Sequence, residues 1–354
     1  MFLISKLFNL SRIIQRMKKL IFGNEAIALG ALDAGMKFYA GYPITPASEI
    51  MHFLSAQENI SFLQAEDEIS SVNMCLGASL GGAKSMTATS GPGFSLMQEG
   101  IGYGHMARIP MVIVDVQRVG PSTGMPTLPS QGDLIQAIHG SHGDYYPIVF
   151  YPNSVQELYE YTIKSFNASE QSRTPVILLS DGMISSMYES VELNKKIKAI
   201  ERKEKPFGEQ TRHVTGLLSK NGLPATRDYA YYSKWLQDYK NDISKVAKNY
   251  EDFEYLENKK SKILIVCFGA VSKPIYELKG NYSIFRPIRM FPVLEKQFKE
   301  VADKHDKIIV VEMNDGQYAS ELKKIIGPEK IHSIPVLGGQ ISLEEIKKEI
   351  EKLK

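Results

Sequence analysis

Cysteine is almost missing from this sequence, whose 354 residues include only Cys75 and Cys267 and no Cys-x-x-Cys pair. An iron–sulfur cluster or a structural zinc site usually needs four ligands, so we expect neither in this chain alone. Scarce cysteine is also typical of a reducing compartment, and we expect a cytoplasmic protein. His139, His142 and Asp144 are spaced like metal ligands, but the glycines beside them favour a hydrogen-bonded loop, so we predict no metal site.

A large net charge is missing too, since 42 Lys and Arg against 40 Asp and Glu leave a formal charge of +2. No basic run is interleaved with aromatic residues, and we therefore expect no nucleic-acid partner. No apolar run reaches the roughly 18 residues of a transmembrane helix, so we expect no membrane span. Residues 1–22 are basic and free of acids. They suit a membrane-surface amphipathic helix or, as we prefer, an extension upstream of a start at Met17.

Short apolar strands alternate with helical segments over residues 23–188, which predicts a doubly wound parallel sheet. Residues 189–260 are rich in Lys, Glu, Tyr and Asn, and we expect a connector with an amphipathic helix around Tyr231–Tyr250. Residues 261–354 predict a second, smaller α/β domain. Its expected strands are Lys262–Phe268, Tyr282–Phe291, Lys307–Met313 and Ile331–Pro335.

Glycine and proline concentrate in the loop Gln117–Thr127, which follows the apolar strand Ile109–Val116. The carboxyl ends of parallel strands are where open α/β sheets bind ligands. Arg118 offers a planar fork of donors to a carboxylate or phosphate, and Thr123 and Thr127 could add hydroxyl donors. Two hypotheses follow, an anion-binding loop or a rigid surface loop whose arginine pairs with a nearby acid.

Three acids, Glu66, Asp67 and Glu68, stand between the expected strand Ser61–Ala65 and the helix Ile69–Gly82. Acids at a helix start interact favourably with the helix dipole, which would account for all three. Alternatively, one of them points into the packed junction, where burial would raise its pKa and suit it to exchange a proton with a cofactor.

Thr45 and Pro46 follow another short strand, and the pair predicts a helix start with Thr45 as N-cap and Pro46 as first helical residue. A strand-to-helix junction also exposes free N–H groups that could bind an anion. Both interpretations stay open for Thr45.

Six separated motifs, in this order, resemble the α subunit of the 2-oxoacid:ferredoxin oxidoreductases, and among these the 2-oxoglutarate type most. They are Gly41–Pro46, Gln64–Glu68, Met86–Gly93, Arg118–Gly124, His142–Asp144 and Glu312–Gln317. The family usually has serine where Ala47 stands, a minor departure. The resemblance implies a pyrimidine-binding thiamine diphosphate domain at 23–188 and a transketolase-C-like domain at 261–354.

The resemblance also implies partners. A β subunit would hold the diphosphate, Mg²⁺ and a [4Fe–4S] cluster, and γ and δ subunits could complete the complex. The implied reaction is oxidative decarboxylation of 2-oxoglutarate to succinyl-CoA, with coenzyme A as acyl acceptor and ferredoxin as electron acceptor. Two alternatives stay open, the same fold acting on pyruvate or branched-chain 2-oxoacids and a non-catalytic scaffold that binds a metabolite.

Matching to the family implies roles for individual residues. Glu68, nine residues before a helix glycine, would share a proton with N1′ of the aminopyrimidine, and Pro43 would contact the cofactor beside it. Thr45 would face the substrate and the thiazolium. Arg118, with Thr123 and Thr127, would bind the carboxylate of the 2-oxoacid. The sequence names no second cation for the distal carboxylate of 2-oxoglutarate.

Overall fold

The computed structural model describes residues 18–193, 197–209 and 214–353. The expected start at Met17 and most of the predicted extension lie outside these residues. The last five residues of that extension, Lys18–Phe22, form strand β1, which pairs antiparallel with Tyr188–Glu192. None of the described helices is both long and apolar enough to cross a membrane.

The first module contains short strands and helices in near-strict alternation, as the sequence predicts. In chain order they are β1 Lys18–Phe22, α1 Gly23–Asp33, β2 Phe38–Gly41, α2 Ser48–Ser55, β3 Ser61–Gln64, α3 Glu68–Leu80, β4 Ser85–Thr89, α4 Gly91–Leu96, α5 Gln98–Met106, β5 Met111–Val119, β6 Met125–Pro129, α6 Leu134–His139, β7 Ile148–Phe150, α7 Val155–Ser172, β8 Pro175–Asp181, α8 Gly182–Ser186 and β9 Tyr188–Glu192.

The connector and the second module follow. Their elements are β10 Ser219–Lys220, β11 Leu223–Pro224, α9 Tyr229–Ala247, β12 Phe253–Leu256, β13 Ile263–Val266, α10 Ser272–Ile275, β14 Ser283–Pro287, β15 Arg289–Phe291, α11 Glu295–Ala302, β16 Lys307–Glu312, α12 Gln317–Ile326, β17 Ile331–Pro335 and α13 Leu343–Lys352. Short 3₁₀ helices occupy Lys248–Tyr250, Gly269–Val271 and Tyr276–Gly280.

The main sheet has the strand order β15-β7-β8-β5-β4-β2-β3, with β6 paired to β5 outside this path. The pairings between β7, β8, β5, β4, β2 and β3 are all parallel. Val114 and Val116 of β5 pack on the face covered by α1, α2 and α7, while Ile113 packs on the opposite face with α3, α4 and α5. Because both faces are covered, the central strands β4, β5 and β8 are almost entirely buried. The predicted doubly wound parallel sheet is confirmed.

The second sheet has the order β12-β14-β13-β16-β17 and is parallel except for its edge strand β12. The predicted single strand Tyr282–Phe291 is wrong, because it is two strands: β14 lies in the second sheet and β15 pairs antiparallel with β7 of the first. The N–H groups of Ile288 and Arg289 both donate to the Asp252 carbonyl, which ends the first ladder. The edge strand β12 lies inside the segment expected to be a connector.

The helix expected to start at Thr45–Pro46 begins later, at Ser48. The Ala47 N–H donates to the Ile44 carbonyl at 2.8 Å, so a turn occupies the place of the expected first helical turn. Thr45 is exposed and is not the N-cap; the N-cap position is taken by Ala47, which makes no side-chain cap. The capping prediction for Thr45 is therefore wrong.

The connector is anchored on the first module by buried polar contacts of Arg202. Its guanidinium donates to the Ser79 and Ala83 carbonyls at 2.8 and 2.7 Å and binds both carboxylate oxygens of Glu170. The Arg202 and Glu170 side chains are 8% and 5% exposed, respectively. The ion pair is therefore largely shielded from water and holds residues 197–209 in place.

Replacing Arg202 with Met should lower the free energy of unfolding by about 3–5 kcal/mol, because the Glu170 carboxylate would stay buried without its partner. Denaturant unfolding of the purified chain measures this loss. Lys234→Met is the matched control, since Lys234 and Asp238 form an exposed ion pair of the kind that contributes little. Equal effects of the two substitutions would contradict the anchoring role.

Candidate active site

A cavity of about 820 Å³ lies where the carboxyl end of β5 meets the second module. The first module lines it with the start of α4, the end of β5 and the loop before α6, and the second module adds the loops after β16 and β17. The lining residues include Gly91, Pro92, Ser95, Arg118–Ser122, Ser130, Gly132, Asp133, Gln136, Met313–Asp315, Gln317 and Leu337–Gly339. The cavity thus occupies the end of the sheet that the parallel-strand rule predicts for ligands.

Gln131 joins the two modules behind this cavity. Its side-chain amide donates to the Phe268 carbonyl at 2.8 Å and accepts from the Met313 N–H at 2.8 Å. Its backbone N–H donates to the Met313 carbonyl at 3.0 Å, and its own carbonyl accepts from Asn314 Nδ2 at 2.8 Å. Because Gln131 is fully buried, these bonds fix the second module over the ends of the strands.

The Glu68 side chain, alone of the three acids, turns into the packed junction and is only 5% exposed. Burial raises the pKa of Glu68, and the charge of Arg118 partly opposes this shift. Asp67 instead caps α3 by accepting the Ser70 N–H at 2.6 Å, and Glu66 is exposed. Of the three acids, Glu68 is therefore the buried one, and its exchange of a proton with a cofactor stays a prediction.

Gly93, in α4, leaves the space that the Glu68 carboxyl occupies. A Cβ atom there would lie 2.2 Å from Glu68 Oε1 and 2.2 Å from Thr89 Oγ1, which is closer than real Cβ contacts. Among the described residues no other side chain donates a hydrogen bond to the Glu68 carboxyl. Within the described part of the chain, no side-chain donor therefore occupies this carboxyl.

Arg118 lies at the end of β5 and is 8% exposed, with its guanidinium lining the cavity. Nη1 donates to the Thr45 carbonyl at 2.7 Å, while Nε is buried and has no acceptor in the described chain. The same charge acts on Glu68 and on Asp133. Arg118 is thus held in place through one nitrogen and keeps donors for an anion in the cavity.

Two further acids, Asp115 and Asp133, meet beside Arg118. Asp115 is fully buried on β5, and neither of its oxygens accepts a hydrogen bond from an N–H or hydroxyl of the described residues. Burial and the neighbouring Asp133 carboxyl, with which it hydrogen-bonds, raise the pKa of Asp115 well above its ordinary value. Burial also raises the pKa of Asp133 to about 6, against the influence of Asp115 and Arg118. The pair therefore holds a shared proton more readily than two separate carboxyls would.

The remaining predicted site residues lie outside the cavity lining. Thr45 meets Arg118 through its carbonyl, and its side chain and that of Pro43 are exposed. The predicted loop is a hairpin, because β5 continues to Val119 and pairs with β6. Thr123 and Thr127 are exposed on this hairpin and do not line the cavity, so carboxylate binding by these threonines stays a prediction.

His139, His142 and Asp144 are not brought together as a group. His139 ends α6 and packs edge-on against Phe291, whereas His142 and Asp144 line a separate cavity of about 240 Å³. Within residues 18–193, 197–209 and 214–353, no three His, Cys, Asp or Glu side chains are placed to hold a metal ion.

Sequence reasoning missed Asp115 and Asp133 as site residues, and it missed Gln131. One signal was present, since Asp115 is a lone acid within the apolar strand Met111–Val116, and an unpaired acid is rarely buried there without a reason. Nothing local marks Gln131, whose partners lie more than 130 residues away.

Comparisons with known proteins agree with this geometry. A family model described as "Pyruvate flavodoxin/ferredoxin oxidoreductase, thiamine diP-bdg" matches residues 29–259. The 2-oxoglutarate synthase subunit KorA of Archaeoglobus fulgidus is 40% identical over 323 residues, which cover 87% of this chain and 91% of that protein. The ketoisovalerate oxidoreductase subunit VorB of Methanothermobacter thermautotrophicus is 34% identical, with 95% of this chain and 97% of that protein covered.

A solved structure is also similar, the 2-oxoglutarate:ferredoxin oxidoreductase from Magnetococcus marinus with 2-oxoglutarate, coenzyme A and succinyl-CoA bound. It matches with a TM-score of 0.87 and 29% identity over 95% of this chain. This chain spans 65% of the length of that chain. The resemblance inferred from the six motifs is confirmed by these similarities.

Gly93→Ala should lower the free energy of unfolding by about 1–3 kcal/mol, because the new methyl group must displace Glu68 or Thr89. Gly77→Ala in α3 is the matched control: its Cβ would meet nothing within 4 Å, and alanine favours a helix over glycine by roughly 0.5–1 kcal/mol. Calorimetric unfolding of both variants tests this contrast. A stabilising Gly93→Ala would show that the space at Glu68 is not filled as described.

Proposed function

Since the chain belongs to the pyruvate flavodoxin/ferredoxin oxidoreductase family of thiamine diphosphate-binding proteins, we propose that it is the α subunit of a 2-oxoglutarate:ferredoxin oxidoreductase. The reaction would convert 2-oxoglutarate and coenzyme A into succinyl-CoA and CO₂ and reduce ferredoxin. The observation that carries this proposal is the proximity of Arg118, which lines the cavity and has an Nε without an acceptor in the described chain, to the buried Glu68, whose raised pKa the charge of Arg118 partly opposes.

The residues around Glu68 fit an aminopyrimidine ring. A buried carboxyl without a side-chain donor, set against a glycine that leaves room, suits a basic ring nitrogen. Thiamine diphosphate, when bound, supplies the carbanion chemistry of decarboxylation, and the protein supplies position and charge. Glu68 would hold the proton that it shares with ring atom N1′, and its raised pKa favours retention of that proton.

Arg118 would bind and orient the substrate carboxylate that leaves as CO₂. Its Nη1 is tied to the Thr45 carbonyl, so the rest of the fork presents a fixed direction to the cavity. Thr45 would support the substrate site by holding this guanidinium, and its exposed hydroxyl would face the thiazolium in the assembled enzyme. Thr123 and Thr127 would reach the substrate only if the β5–β6 hairpin changed its conformation.

The chain would work with partner subunits. Cys75 and Cys267 are both buried and far apart in sequence, so they offer no four-cysteine cluster site. Arg118 is the sole cation among the described residues that line the cavity, which leaves the diphosphate and Mg²⁺ to a β subunit. That subunit would also carry the [4Fe–4S] cluster, with γ and δ subunits as further components and ferredoxin as the electron acceptor.

The choice of 2-oxoacid rests on the distal end of the substrate. Gln136 and Asn314 line the cavity, and the second side-chain amide hydrogen of each could be donated to a second carboxylate, whereas the Ser95 hydroxyl already donates to the Gly91 carbonyl. A branched-chain 2-oxoacid is the second candidate, because the relative VorB is named for ketoisovalerate and matches almost the full chain. Assays with both substrates separate these candidates.

Glu68→Gln should lower the turnover of the complex with its β subunit by roughly 10²–10⁴-fold, since an amide of the same size cannot exchange a proton. Ferredoxin reduction that depends on 2-oxoglutarate and coenzyme A measures this. Glu66→Gln, an exposed acid two residues away, is the control and should keep activity. If Glu68→Gln stays within a few-fold of wild type while Glu66→Gln fails, the proton-holding acid is Glu66.

Arg118→Ala should lower kcat/KM by roughly one to two decades, because charged hydrogen bonds contribute about 1.5–3 kcal/mol each. Arg118→Lys should recover only part of this, since a point charge does not reproduce the fork. Steady-state assays with 2-oxoglutarate, pyruvate and 2-oxoisovalerate decide the role. Loss for 2-oxoglutarate alone would place Arg118 at the distal carboxylate, and no loss for any substrate would leave it a structural residue.

A further inference from the structure

The carboxyl pair of Asp115 and Asp133 has no role in the chemistry described so far. Asp115 is fully buried, and Asp133 lines the cavity with its N–H donating to Gln117 Oε1 at 2.9 Å. Gly91 lies against Asp133, since a Cβ there would be 3.3 Å from Oδ2 of that residue. Asp133 is thus held at the cavity wall, where the charge of Arg118 acts on it and where the substrate carboxylate would bind.

We propose that Asp133, backed by Asp115, is a positioning residue that weakens the hold of Arg118 on the substrate carboxylate before decarboxylation. This inference rests on the proposed function. Asp133 and the incoming carboxylate are like charges, and the charge of Arg118 acts on both, so each weakens the binding of the other. When the substrate carboxylate leaves as neutral CO₂, that repulsion disappears. Only an interaction that differs between ground state and transition state accelerates the chemical step. The repulsion between Asp133 and the substrate carboxylate differs in this way, because it is present in the ground state and is lost as CO₂ leaves.

Asp115 sets the charge of Asp133. As the partner that keeps the shared proton, it donates a hydrogen bond to Asp133 and so stabilises the ionised form of that carboxyl. Without this donor, Asp133 would take up a proton at a higher pH and would no longer oppose the substrate. The buried position of Asp115 ensures that water does not replace it.

Other charged and titratable groups face this pair from the elements around it. Arg118 lies three residues after Asp115 on β5, and Asp315 lines the same cavity as Asp133. Glu68, at the start of α3, lies near Arg118. On the β8 and β7 side, the hydroxyl of Tyr151 donates to Asp181 at 3.1 Å. The neighbouring strand β4 brings only the uncharged Thr89 opposite Asp115, and His139 at the far end of α6 packs on Phe291.

Asp133→Asn in the complex with its β subunit tests the proposal, with 2-oxoglutarate as substrate. Removing the like charge should lower KM roughly tenfold and slow single-turnover CO₂ release by a similar factor, so that kcat/KM stays within about threefold. A variant that merely damaged the fold would lose rate without a lower KM. Asp303→Asn, the same charge change at an exposed residue of the second module, should leave both constants unchanged.

The pH profile gives a second readout. In the wild type, KM should fall as the pH is lowered through about 6, because Asp133 becomes protonated and neutral there. Asp133→Asn should lose this change, and Asp115→Leu should move it to higher pH. A KM that rises in Asp133→Asn, or a pH profile that all variants share with the wild type, overturns the proposal.

Equilibrium binding of glutarate, measured calorimetrically on the same complexes, separates this proposal from the proposed function. Asp133→Asn should bind glutarate roughly tenfold more tightly than the wild type at pH 7. If the wild-type complex oxidises no 2-oxoacid, the proposed function fails, whereas unchanged glutarate affinity in an active complex overturns the role of Asp133 alone.

Discussion

The four hydrogen bonds of Gln131 are the constraint on which the cavity depends. They join the first module to the Phe268 carbonyl and to both backbone groups of Met313 and the side chain of Asn314. Each of these groups is buried, and a buried polar group without a partner is costly. The second module therefore cannot slide over the sheet without breaking several bonds at once, and the loops after β16 and β17 keep a fixed place opposite Arg118.

Within this fixed frame, the charges at the end of β5 determine what the cavity can bind. One guanidinium stands near three acids, Glu68, Asp115 and Asp133. If all three were ionised, the cavity would repel an anionic substrate. Burial raises the pKa of each acid instead, which favours the protonated, uncharged forms at the site. Burial of these acids thus reduces the negative charge that would repel an anionic substrate, and it also provides carboxyl groups that hold a proton.

The positions of the parallel strands could be predicted from the sequence more completely than the contacts of the residues at the candidate site. Apolar runs with turn residues between them locate every parallel strand of the main sheet, and Arg118 and Glu68 follow from motifs at strand ends. Hydrogen bonds between residues distant in the chain could not be predicted from these local patterns. The segment Tyr282–Phe291 reads as one strand, because nothing local shows that the Asp252 carbonyl takes the N–H groups of Ile288 and Arg289. The N-cap prediction for Thr45 failed for a similar reason. Its carbonyl accepts a hydrogen bond from Arg118, 73 residues away, and nothing in the local sequence shows that contact.

Charge also bears on which 2-oxoacid suits the cavity. Among the described lining residues Arg118 is the one cation, and it stands against the acids Asp133 and Asp315, so the lining has no excess of positive charge before substrate binds. A branched-chain 2-oxoacid adds one negative charge, which Arg118 can meet. A dicarboxylate adds two, and the second must rely on neutral donors such as Gln136 and Asn314 or on a cation from another subunit. Residues at the distal end of the cavity would therefore discriminate between these substrates, whereas Arg118 and Glu68 would act in the decarboxylation that both substrates undergo.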